Sequence, residues 1–120
     1  MKKILIIEDD LYLKELIVKK LKKENFEVLE TSNGKKGLEK IKTERPDLVL
    51  LDLILPEING YDILTQIKAD PEISNIPIII ISNLGQIQEI RKGLKSGAVH
   101  YLIKAHFTPT KIIEKVKRYI

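Results

Sequence analysis

The sequence predicts an α/β domain built on a doubly wound, five-stranded parallel sheet in the order 2-1-3-4-5. Two observations carry this. Short apolar runs alternate along the whole chain with stretches whose apolar residues recur at helical spacing, roughly five of each. The length, 120 residues, suits the five-stranded doubly wound order rather than the longer six-stranded one. That order sets the first and third strands side by side at the topological switch point, with helices on both faces and right-handed crossovers.

Ile4 to Ile7 form the first apolar run, which ends in Glu8-Asp9-Asp10. Leu13, Leu16, Ile17 and Leu21 then outline a first helix with lysines opposite, capped by Asp9 or Asp10 and closed at Asn25. Phe26 to Glu30 alternates as a half-exposed edge strand does. Asn33-Gly34 opens a second helix with Leu38 and Ile41 inward, and Pro46 marks its end.

Leu48 to Leu51 is apolar without alternation, as a strand covered on both faces is, and it delivers Asp52 to its carboxyl end. Tyr61, Ile63, Leu64 and Ile67 outline a third helix, stopped by Asp70-Pro71. Pro77 to Ile81 is a fourth strand ending at Ser82. Ile87, Ile90 and Leu94 outline a fourth helix with Gly97 as its left-handed stop. Val99 to Ile103 is a fifth strand ending at Lys104. Thr108 caps a last helix with Pro109 at its first position and Ile112, Ile113 and Val116 inward.

Composition bounds the function. One domain over residues 1–120 is expected. Cysteine is absent, which excludes disulfides and thiolate metal sites. No apolar run approaches the ~20 residues of a membrane span, and Glu8-Asp9-Asp10 cuts short the apolar start before any signal-peptide pattern develops. The expected compartment is the cytoplasm. Net charge is +4, from 21 basic and 17 acidic residues, with the lysines spread along helical faces. Direct nucleic-acid binding is not expected from that pattern.

Four strand ends converge on one edge of this sheet, and they bring Glu8 and Asp9, Asp52, Ser82 and Lys104. In open α/β sheets that edge binds ligands. Carboxylates held close repel one another unless a cation joins them. Oxygen donors without His or Cys point to Mg²⁺ rather than zinc, and Mg²⁺ suits phosphoryl chemistry. Lys104 supplies a point charge and Ser82 a hydroxyl donor for phosphate oxygens. Neither a P-loop nor a dinucleotide fingerprint occurs. The simplest use of the edge is for a carboxylate to attack phosphorus and carry the group as an acyl phosphate.

The motifs Ile4-Leu5-Ile6-Ile7-Glu8-Asp9-Asp10, Pro46 to Asp52, Pro56 to Gly60, Ile79-Ile80-Ile81-Ser82, Gly97-Ala98 and Tyr101-Leu102-Ile103-Lys104 resemble those of response regulator receiver domains, over essentially the whole chain. The resemblance implies a flavodoxin-like fold and a phosphoacceptor, Asp52, supplied by a phosphohistidine on a sensor histidine kinase or phosphotransfer protein. It implies Mg²⁺ held by Glu8, Asp9, Asp52 and the backbone carbonyl of Ile54. Ser82 would be the switch hydroxyl, Lys104 the phosphate-binding lysine, and Tyr101 a switch aromatic that enters from solvent when Ser82 moves. The surface of the fourth helix, fifth strand and fifth helix would change for a partner. A monomer is expected, with pairing after phosphorylation left open.

Three departures from the family pattern stand out. Ala105 replaces the proline that usually follows the lysine in a cis peptide. Either Lys104-Ala105 keeps a costly cis bond or the Ala105-His106-Phe107 loop takes another path, which would put the aim of Lys104 in question. Asn83 stands where a very small residue is usual. Apolar Ile54 and Leu84 flank the acceptor and cannot orient water, so slow loss of the phosphoryl group is expected. His100 and His106 read as surface residues. The competing function is a pseudo-receiver, a constitutive interaction module, and the complete acid-hydroxyl-lysine set speaks against it. A flavodoxin-like cofactor binder is disfavoured because acids after the first strand repel phosphate.

Overall fold

In a computed structural model describing all 120 residues, strands and helices alternate as β1 (Lys3–Ile7), α1 (Leu11–Lys23), β2 (Glu27–Thr31), α2 (Gly34–Glu44), β3 (Leu48–Asp52), α3 (Gly60–Ala69), β4 (Ile78–Ser82), α4 (Ile87–Lys95), β5 (His100–Ile103) and α5 (Pro109–Tyr119). The five strands form one parallel sheet in the order β2-β1-β3-β4-β5.

Alternation along the strands sorts the core into two layers. Leu5, Ile7, Val49, Leu51, Ile78 and Ile80 point to one face and pack with Ile41, Ile63, Leu64 and Ile67 of α2 and α3. Ile4, Ile6, Leu48, Leu50, Ile79 and Ile81 point to the other and pack with Ile17, Val18, Leu21, Ile112, Ile113 and Val116 of α1 and α5. Each fully buried Leu or Ile contributes about 1.5–3 kcal/mol. β3 and β4 are buried along their whole length, which explains their unbroken apolar sequence. The edge strand β2 is exposed at Glu27 and Glu30 and half-buried between.

Local signals end the helices where the sequence places them. Asp10, Asn33, Asn59 and Thr108 each accept a hydrogen bond from a first-turn N–H of α1, α2, α3 and α5. Asn25 and Gly97 adopt positive φ after α1 and α4.

α4 differs from the rest. Of its apolar residues only Ile90 packs against the core, and partly buried: Ile87 is 66% and Leu94 43% exposed, and Gly93 is its one fully buried residue. Gly93 lets the helix lie close to the sheet, because a Cβ there would come within 2.7 Å of Ile80 Cδ1 and 3.0 Å of Tyr101 Cδ2. α1 also departs from the expected pattern. Lys14 lies on its buried side, not with the solvated lysines, and donates to Ser32 Oγ at 2.6 Å.

Candidate active site at the carboxyl edge of the sheet

Strand register assembles the site. Ile7 pairs with Leu51, so the next residues, Glu8 and Asp52, emerge side by side from the two central strands. Asp52 pairs with Ile81 and Ser82 with Ile103, which places Ser82 and Lys104 one step further along the same edge. Carboxylate oxygens of Glu8, Asp9 and Asp52 can all lie within 4.8 Å of one another. A cleft at this edge is lined by Asp9, Asp10, Asp52, Ile54, Asn83 and Lys104.

Each acid has a distinct setting. Glu8 is fully buried; its Oε2 accepts from the Asp10 backbone N–H at 2.9 Å. Asp10 turns away to cap α1, accepting from the Leu13 N–H at 3.1 Å. That leaves Asp9, exposed, as the acid facing outward. Asp52 is 3% exposed; Oδ1 accepts from the Ile54 N–H at 3.2 Å and Oδ2 from Lys104 Nζ at 3.0 Å.

Lys104 joins the two buried carboxylates, with Nζ also 2.6 Å from Glu8 Oε1. That oxygen has no aligned hydrogen-bond donor, so the ammonium charge is its sole compensation. Burial raises the Glu8 pKa to about 7; the neighbouring Asp52 charge adds to the rise, while Lys104 and the Asp10 N–H oppose it. Burial works against the charge on Lys104, but Glu8 and Asp52 outweigh it and hold the lysine above its ordinary value.

The aim of Lys104 does not depend on a cis bond. Every peptide bond is trans. Lys104–His106 instead form a single 3₁₀ turn, and the lysine reaches both carboxylates from it.

Ser82 ends β4 at the expected edge, and one residue, Tyr101, stands elsewhere than expected. Ser82 is buried with Oγ accepting from the Leu84 N–H at 3.1 Å, and it does not line the cleft. Tyr101 was expected at the surface, to enter when Ser82 moves; it is already inside, 8% exposed, with its hydroxyl donating to the Leu84 carbonyl at 2.6 Å. The side-chain-free Gly93 provides the room. Of the flanking residues, Ile54 is exposed and Leu84 half-buried. His106 is exposed, whereas His100 is half-buried beside Tyr119.

Sequence reasoning passed over Gly60 as a site residue. Its N–H donates to the Leu53 carbonyl at 2.8 Å, and a Cβ there would meet the Asp52 carbonyl oxygen at 2.5 Å. The glycine in Asn59-Gly60 was the available signal.

The donor set fits a hard divalent cation. Three carboxylates against one ammonium leave excess negative charge, all the donors are oxygen, and one buried carboxylate oxygen lacks an aligned donor. No helix is long and apolar enough to cross a membrane.

Residues 4–117 match the response regulator receiver domain. The chemotaxis protein CheY of Thermotoga maritima is 33% identical over 119 residues, covering 98% of this chain and 96% of that protein. The DNA-binding response regulator MtrA of Mycolicibacterium paratuberculosis is 35% identical over 115 residues, covering 96% of this chain and 49% of that protein. The chain thus spans about half the length of such DNA-binding relatives. A putative response regulator from Chloroflexus aurantiacus superposes with TM-score 0.90 at 29% identity, covering 98% of this chain and 96% of that one. The BeF3-activated receiver domain of Klebsiella pneumoniae RstA superposes with TM-score 0.89 at 28% identity, covering 98% and 97%. This chain belongs to the response regulator receiver domain family.

Proposed function

We propose that Asp52 accepts a phosphoryl group from a phosphohistidine on a sensor histidine kinase or phosphotransfer protein, and that the domain passes the event to a partner through α4, β5 and α5. The observation that carries this reading is the contact of Lys104 Nζ with both Glu8 and Asp52 at the edge where three carboxylates gather. A carboxylate oxygen of Asp52 forms the new bond to phosphorus as the phosphorus–nitrogen bond breaks, and the electron pair leaves with the imidazole. Transfer of this kind proceeds through a loose transition state, so positioning and charge neutralisation dominate.

The carboxylates of Glu8, Asp9 and Asp52 and the backbone carbonyl of Ile54 would hold Mg²⁺, which when bound offsets charge on the phosphoryl oxygens. Lys104 exchanges its carboxylate partners for a phosphoryl oxygen. Ser82 leaves the Leu84 N–H and donates its hydroxyl to another. Hydrogen bonds to a charged group contribute about 1.5–3 kcal/mol each. Two or three together reach the ~5.5 kcal/mol that inverts a 1:99 equilibrium.

Incubation with acetyl phosphate, with and without Mg²⁺, tests the reading. It expects a mass gain of one phosphoryl group that requires the metal; uptake unaffected by chelation would contradict the site as assigned.

One observation favours a second reading, a constitutive interaction module: Tyr101 already lies inside. A partner that binds wild type and Asp52→Asn equally, with or without donor, would support that alternative.

A further inference from the structure

α4 is poorly anchored for a helix over a parallel sheet. It buries one glycine fully and Ile90 in part, exposes Ile87 and Leu94, and begins at Gln86 without a side-chain cap. Its polar ties to α3 run through Tyr61. The Tyr61 hydroxyl donates to Glu89 Oε2 at 2.6 Å and lies 3.1 Å from the Glu89 backbone carbonyl. Lys92, one turn further along α4, places Nζ 4.1 Å from the centre of the Tyr61 ring. Glu89 and Lys92 are three residues apart and therefore share a helix face. Tyr61 is thus gripped at its edge by an acid and over its face by a cation.

The other end of this connection is the acceptor turn. Tyr61 follows Gly60, whose backbone lies against the Asp52 carbonyl and bonds the Leu53 carbonyl. The first turn of α3 is consequently fixed to the strand end that carries Asp52. An unbroken series of contacts runs from Asp52 through Gly60 and Tyr61 to Glu89 and Lys92. A second route, through Ser82, Leu84 and Tyr101, reaches the same helix at Gly93. Burial, reinforced by the Glu89 carboxylate, holds the phenol well above its ordinary pKa, so the hydroxyl keeps its proton for this bond.

We propose that Tyr61 is a positioning residue, a clasp that ties α4 to the turn behind Asp52 and holds the arrangement in which Lys104 is bound to Asp52 and Glu8. This rests on the reading of Asp52 as the phosphoacceptor. Loading Asp52 draws Ser82 from the Leu84 N–H and displaces the segment leading into α4, and the Tyr61–Glu89 bond resists that displacement. The clasp therefore sets how strongly α4 opposes occupation of the site.

Beryllofluoride with Mg²⁺, a stand-in for the phosphoryl group on Asp52, provides the test on wild type, Tyr61→Phe, Glu89→Gln and the double variant. Tyr61→Phe keeps the ring under Lys92 and removes only the hydroxyl. Amide exchange across residues 88–95 is expected to accelerate, and beryllofluoride affinity to rise by about two- to tenfold, as loss of one net hydrogen bond predicts. The double variant is expected to match Tyr61→Phe, because the two groups form one bond. A purely structural tyrosine would loosen α4 and leave affinity unchanged, and unchanged affinity in Tyr61→Phe would overturn the clasp. If wild type itself fails to bind beryllofluoride, the phosphoacceptor reading falls and the clasp with it. Binding that is abolished in Asp52→Asn but equal in wild type and Tyr61→Phe removes the clasp alone.

Discussion

Gly60 and Asp52 meet backbone to backbone: a Cβ on Gly60 would stand 2.5 Å from the Asp52 carbonyl oxygen and 2.6 Å from Leu53 Cα. Neither atom belongs to a side chain that could swing aside. Gly60→Ala must therefore displace either the end of β3 or the start of α3. A loss of stability of about 1–3 kcal/mol is expected in urea titration, the ordinary cost of an unrelieved extra methyl group. A change smaller than half a kcal/mol would mean that the β3–α3 turn is softer than its packing implies.

Lys104 compensates two carboxylates that are almost wholly out of water. On the proposed reading, the same ammonium neutralises the transferring phosphoryl group. Lys104→Met is expected to slow uptake from acetyl phosphate by about tenfold to a hundredfold, the rate equivalent of one charge-assisted hydrogen bond. Rates within twofold of wild type would remove Lys104 from the chemistry.

Tyr101→Phe removes the donor to the Leu84 carbonyl and leaves the ring beside Gly93. The expected cost is about 0.5–1.5 kcal/mol in the unmodified protein, measured by denaturant midpoint. If the hydroxyl were at the surface, as a sequence reading alone suggests, the substitution would be neutral.

His100 sits beside Tyr119, and its pKa is lowered first by burial and then by the charges of Lys115 and Arg118 on α5. The unfolded chain, with the ordinary value near 6.5, takes up this proton before the folded one does. Stability from this group is complete above that value and is lost as pH falls through the lower folded value. Glu8, raised to about 7, works in the opposite direction over the same range, so the His100 contribution is read as a difference: in thermal melts from pH 7 to pH 5, His100→Gln should gain stability relative to wild type as pH falls. An identical slope in the variant would contradict the assignment.

The sheet was legible because its strands are short and its central ones, β3 and β4, are apolar on both faces. Leu48 to Leu51 could not be a helix of useful length, and Asp52 had to follow at the ligand-binding edge. Caps at Asn33 and Thr108 were equally readable, since each acts within three residues of itself. The position of α4 was not. Helical periodicity in Ile87, Ile90 and Leu94 defines a face but carries no information on whether anything covers it. Tyr101 was misplaced for a related reason: its site inside depends on Gly93 of a different element and on the Leu84 carbonyl. Lys14, buried against Ser32, and the Tyr61–Glu89 bond both join residues far apart in the chain, which no local pattern records.

Proteolytic mapping of the protein after treatment with acetyl phosphate and Mg²⁺ tests the central claim most directly. The added mass is expected in the peptide containing Asp52 and nowhere else, and it should vanish in Asp52→Asn. Added mass that persists in that variant, or that maps to Asp9 or Glu8 in wild type, would contradict the account.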